Sequence, residues 1–142
     1  MKKVIIAIIA AMTLIPALSY AQIVKGSKVK GSQELFSLGY ATLMQNEECY
    51  WLSLETSNRY DVNVNIRLGS DKPSAIQSLN DLIDIYQDLQ VNDVQYIQSG
   101  FGETFRTYKV SRALNIAGKD YAGTANITPS ELKRFIRALK RQ

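Results

Sequence analysis

The chain has 142 residues, no histidine and a single cysteine. Without histidine there is no Ser-His-Asp or Cys-His nucleophile relay. There is also no imidazole for a zinc site, and one thiol cannot make a thiolate cage. The catalytic options left are a carboxylate pair, a Ser-Lys dyad or a carboxylate metal site. Cys49 has no partner for an intrachain disulfide, so the fold must hold without a staple. It stands beside Tyr50, Trp51 and Leu52 in a strand-like run, which reads as a buried small hydrophobe.

Long apolar runs are equally scarce, and the one present is at the start. Lys2 and Lys3 precede an almost unbroken apolar stretch from Val4 to Ile15, which Pro16 ends. Ser19-Tyr20-Ala21 then sets small residues at the −3 and −1 positions before Gln22. This three-part layout predicts a secretory signal peptide over 1–21, cut between Ala21 and Gln22. The apolar stretch is shorter than the ~20 residues a spanning helix needs, so no transmembrane segment is expected in the mature chain. No cysteine lies near the cut to carry a lipid. The expected location is outside the cytoplasm, in a bacterial periplasm or beyond.

Charge of one sign is also in short supply. Without Lys2 and Lys3, the 17 basic residues fall to 15 against 13 acidic ones, a net charge of +2. That balance and the export signal argue against a nucleic-acid partner. Removing 21 residues leaves 121, the usual size of one domain. Residues 22–34 carry Lys25, Lys28 and Lys30 with few apolar residues and read as a flexible basic lead. Residues 35–142 read as a single α+β domain.

Within that domain, 35–44 and 49–56 read as strands across a turn at Gln45-Asn46-Glu47-Glu48. Over 60–68, Val62, Val64, Ile66 and Leu68 alternate with Asp61, Asn63, Asn65 and Arg67. A period of two means one face buried and one wet, as in an antiparallel sheet. After Pro73 the period changes: Ile76, Leu79, Leu82, Ile83, Tyr86 and Leu89 trace one stripe of a helix. Residues 93–98, 103–111, 113–117 and 120–127 then have strand character. Thr128-Pro129-Ser130-Glu131 is a helix start with a capping box, leading the buried stripe Leu132, Phe135, Ile136 and Leu139. The expected architecture is a mainly antiparallel sheet of about six strands covered by two amphipathic helices, in the order βββ-α-βββ-α.

Few motifs carry chemistry. Ser130-Glu131-Leu132-Lys133 matches S-x-x-K, but the companion S-D-N and K-T-G elements are missing, and the capping box accounts for Ser130 and Glu131. Asp81, Asp84 and Asp88 share a helix face, the solvated one opposite the apolar stripe, and no calcium-loop pattern accompanies them. Glu47, Glu48, Glu55, Asp61 and Glu103 are the carboxylates a hydrolase would draw on. Glu103, beside Gly100-Phe101-Gly102, is the most suggestive of them. Tyr50, Trp51 and Tyr60 suit a core or cross-strand pairs, or a surface that stacks on a partner. The basic residues Arg106, Lys109 and Arg112, with Tyr108 among them, and the helix cations Arg134, Arg137 and Arg141 form the candidate binding surface for an anionic partner. The expectation is a non-enzymatic exported domain that uses no cofactor or metal and binds a protein or a cell-envelope component. The rival is a small hydrolase working on carbohydrate or peptidoglycan through carboxylates. A third reading is self-assembly through an exposed strand edge.

Overall fold

The computed structural model describes residues 31–56, 63–118 and 123–142. The expected signal peptide and its cut at Ala21 and Gln22, most of the basic lead, Tyr60 and Asp61 lie outside these residues. The described chain is α+β. β1 (Gln33–Ser37), β2 (Ala41–Gln45), β3 (Tyr50–Glu55) and β4 (Asn63–Gly69) form one antiparallel meander, followed by α1 (Lys72–Asp88). β5 (Val94–Gln98), β6 (Thr104–Val110), β7 (Ala113–Ala117) and β8 (Thr124–Ile127) form a second, followed by α2 (Pro129–Lys140). The order is therefore four strands and a helix, twice.

The expectation of about six strands in one sheet is two strands short and one sheet short. In the first half, the apolar run 35–44 hides a hairpin. Gly39 takes φ of 93°, a left-handed conformation open to glycine, and separates β1 from β2. In the second half, all four segments with strand character pair in one meander of four rather than three, 93–98 joining β6 with Tyr96 opposite Arg106. The split into two sheets has no counterpart in a one-dimensional pattern. β8 lies against β3 and β4, yet the described strands share no ladder across that seam.

Local chemistry sets the joints. The Asn46 side chain accepts from the backbone N–H of Glu48 (2.7 Å) and Cys49 (2.9 Å), which folds the β2–β3 turn. At the β4–α1 joint the chain doubles back so closely that a Cβ on Gly69 would fall 2.6 Å from Ser74 Cβ, so only glycine fits. Asp71 caps α1 by accepting from the Ser74 N–H at 2.9 Å, and hydrogen bonding from the Ser74 side chain, then from its backbone N–H, holds the Asp71 carboxyl below the usual range. Thr128 and Glu131 make the expected capping box on α2, with Pro129 at its first position.

The predicted α2 stripe is buried throughout, whereas in the predicted α1 stripe Leu79, Leu82, Ile83 and Leu89 are buried and Ile76 and Tyr86 are half-buried at its margin. Ala75, Leu79, Leu82 and Ile83 of α1 and Leu132, Phe135, Ile136 and Leu139 of α2 join Leu43, Leu52, Ile66, Ile116 and Ile127 of the strands in one core. Side chains from both halves therefore meet in one shared core. On the opposite face of the first sheet, Asn63, Asn65 and Arg67 of β4 lie exposed. No helix among the described residues is long and apolar enough to cross a membrane.

Candidate functional site

The two meanders end in very different outer edges. β5 is the edge of the second sheet, and its sequence Val-Gln-Tyr-Ile-Gln holds no charge, proline or glycine. Val94 is 54% exposed and Tyr96 62%. Just outside the strand, Val91 is 56% and Phe101 41% exposed. These four account for all but one of the large exposed hydrophobic residues among those described, the other being Tyr40. Such a concentration on one short segment marks a contact surface.

The ladder extends that surface inward. Val94 lies opposite Tyr108, which lies opposite Asn115. Tyr96 lies opposite Arg106, which lies opposite Ala117. Alternation puts these residues on the face opposite buried Phe105 and Thr107, with Val94 and Tyr96 exposed, Arg106 and Tyr108 half-buried, and Asn115 and Ala117 buried. The Arg106 guanidinium sits 5.9 Å from the centre of the Tyr108 ring. Asn115 is buried there and donates to Asn126 Oδ1 at 2.7 Å. The result is an aromatic strip with one cation, running from the open edge across β6.

Of the seven predicted binding residues, then, Arg106 and Tyr108 fall on this strip and the other five, among them Arg141 at the C-cap of α2, do not. Lys109 points to the opposite face. Its Nζ donates to the Leu89 carbonyl (3.1 Å) and lies 4.3 Å from the Tyr86 ring centre. It supplies the cation that the last turn of α1 lacks. Arg112 is exposed in the β6–β7 turn, beside Ser111, whose carbonyl accepts from Tyr86 Oη. Arg134 and Arg137 are exposed on α2, with Arg134 over the Phe36 ring of β1. The basic residues therefore divide among a sheet face, a helix cap, a turn and a helix.

The carboxylates show no shared site. Among the described residues no three acids gather where a metal could sit. Glu103 is held at the β5–β6 loop: its carboxylate accepts from Arg67 Nε (3.1 Å), the Arg67 N–H (3.2 Å) and Ser99 Oγ (3.2 Å). Phe101, from the same loop, lies under the Arg67 guanidinium, 5.2 Å from it. Arg67 and Ser99 also line a cleft of about 200 Å³, together with Ile66, Leu68, Leu82 and Phe105. Asp81, Asp84 and Asp88 are exposed, as expected of a solvated helix face. Cys49 is buried, and burial raises its thiol above the ordinary value even though the Arg67 charge opposes the shift. It is a packing residue, as read from sequence. Trp51 is half-buried opposite Met44 and Arg67, with its ring N–H enclosed and without a hydrogen-bond partner among the described residues.

Val94 and Tyr96 escaped the sequence reading. The available signal was negative: a five-residue strand with no charge between turn residues. No family model, curated protein or solved structure matches this chain.

Proposed function

We propose that this chain is an exported binding module that takes an extended segment of a protein onto β5 as an added strand. The observation that carries the reading is the neutral edge, which no other described strand covers, with Val94 and Tyr96 turned to solvent. Natural sheets usually guard an edge with a charge, a proline, a bulge or a cover. An added strand would complete the backbone hydrogen bonding, each bond contributing roughly 0.5–1.5 kcal/mol net. Tyr96, Tyr108 and Arg106 would then read the partner's alternate side chains. The leader over 1–21 supports delivery outside the cytoplasm. The hydrolase reading loses its most suggestive acid, because Glu103 is already engaged by Arg67 and Ser99.

The test is site-specific crosslinking in the native envelope fraction. A photoreactive side chain at position 96 should capture a protein band that Val94→Lys removes. The same group at Arg134, on the helical layer, should capture nothing comparable. Equal capture from both positions would refute the assignment to β5.

A further inference from the structure

Resting on the reading of β5 as the contact strand, we propose that the segment it receives is the β5 of a second copy of this chain. The two strands run antiparallel about a twofold axis at Gln95.

Three features of β5 fit this occupant. First, a strand that meets its own copy must not oppose like charges, and β5 has none. Second, an axis at Gln95 puts Val94 opposite Tyr96 of the other copy, and Tyr96 opposite its Val94. Both exposed apolar side chains of each strand are then covered at once, in β-branched–aromatic pairs of the kind that stabilise antiparallel ladders. Third, the neighbouring strand extends the match. Since Tyr96 faces Arg106 and Val94 faces Tyr108 within each chain, the joined face carries two rows. Each row reads Arg106, Tyr96, then Val94 and Tyr108 of the other copy. The two Arg106 residues fall in different rows, three strand spacings or about 14 Å apart. That exceeds the ~8 Å screening length at physiological salt, so they do not repel strongly.

The joined sheet would have eight strands, within the usual range for an open sheet. The contact is isologous, so it closes at two copies and leaves no second β5 edge exposed. The other outer edge, β1, is unsuited to the role. It is bulged between Glu34 and Phe36, carries the Glu34 charge and presses Phe36 onto α2.

The experiment is sedimentation velocity on the chain from residue 22, from about 1 μM to about 1 mM. A concentration-dependent dimer is expected. Val94→Lys and Tyr96→Lys should each weaken it roughly tenfold or more, with an unchanged circular dichroism spectrum. Arg134→Glu should leave it intact. In a Cys49→Ser background, Gln95→Cys should form a disulfide-linked dimer on mild oxidation, because an axial pair falls within disulfide reach. Tyr96→Cys should not, because the two residues 96 are then diagonal and beyond that reach. A wild-type chain that stays monomeric throughout overturns the self-pairing while leaving capture of another protein at position 96 to stand or fall alone. A dimer that survives both lysine variants overturns it as well. Efficient crosslinking of Tyr96→Cys without Gln95→Cys overturns the axis.

Discussion

β1 and β5 hold equivalent places, each opening a four-strand meander that ends in a helix, yet they are built to opposite ends. β1 is guarded. Its register slips between Glu34 and Phe36, Glu34 is charged, and Phe36 turns inward to meet the Phe135 ring edge-on at 5.7 Å. Arg134 then lies over the same Phe36 ring. β5 has a regular register, no charge and two large side chains in water. Because the fold demonstrates at β1 how an edge is closed, the open edge at β5 is a specific property of that strand. One shared architecture thus supports a sealed side and a receptive side.

The largest expected effect tests the seal. Phe135 is fully buried and is both a core residue and the anchor for β1. Phe135→Ala should cost about 3–5 kcal/mol, from lost burial and the cavity left behind. Trp51 is the sole tryptophan and sits in the other half, on β3. If both halves share one core, its fluorescence and the far-ultraviolet circular dichroism should shift to lower urea together. A Trp51 transition that stays put while the dichroism moves would show that the halves unfold independently.

A smaller effect separates structure from binding on the β6 strand. Lys109 was grouped by sequence with Arg106 and Tyr108, but it caps α1 from below the sheet. Lys109→Met should cost about 1 kcal/mol, from the lost helix-end charge and the ring contact. It should leave capture at position 96 unchanged. Arg106→Met, on the other face of the strand, should weaken that capture. The comparison fails if the two substitutions have the same signature.

This division explains what the sequence could and could not disclose. The α+β class, both helices and their buried stripes follow from periods that a linear chain records directly, as with Leu79 and Ile83 or Phe135 and Leu139. The caps at Asp71 and Thr128 are likewise local. The extra hairpin was hidden because Gly39-Tyr40 interrupts an apolar run without breaking its apolar character. Strand content identified 93–98, but its edge position depends on which strand pairs beyond it, and that is a property of the whole sheet. Arg106 and Lys109 are three apart in sequence, and strand alternation alone sends them to opposite faces. Grouping the basic residues by proximity in sequence ignored that parity. Export, by contrast, remains a reading of residues 1–21, which lie outside the described structure.

The smallest effect concerns how the turn after β1 is held. Tyr40 donates its phenolic hydrogen to Glu131, whose other oxygen accepts from the Thr128 N–H in the capping box. One carboxylate therefore secures both the start of α2 and the β1–β2 turn. Burial, the hydrogen bond to Glu131 and that carboxylate's charge together push the Tyr40 hydroxyl up to about 12. Its unfolded value is near 10, so the folded state favours the protonated phenol. The resulting stability is complete below pH 10 and is lost as pH rises through about 12. Tyr40 is 38% exposed, so solvent screening limits the contribution to a few tenths of a kcal/mol up to about 1. Tyr40→Phe should be less stable than the parent by that amount at pH 8, and the gap should narrow between pH 10 and 12 as the parent's phenol ionises. β5 has no comparable tie, so the Phe substitution should leave capture at position 96 unaltered across the same range. A gap in urea midpoint that stays constant to pH 12 would mean that Tyr40 steadies the turn by packing alone.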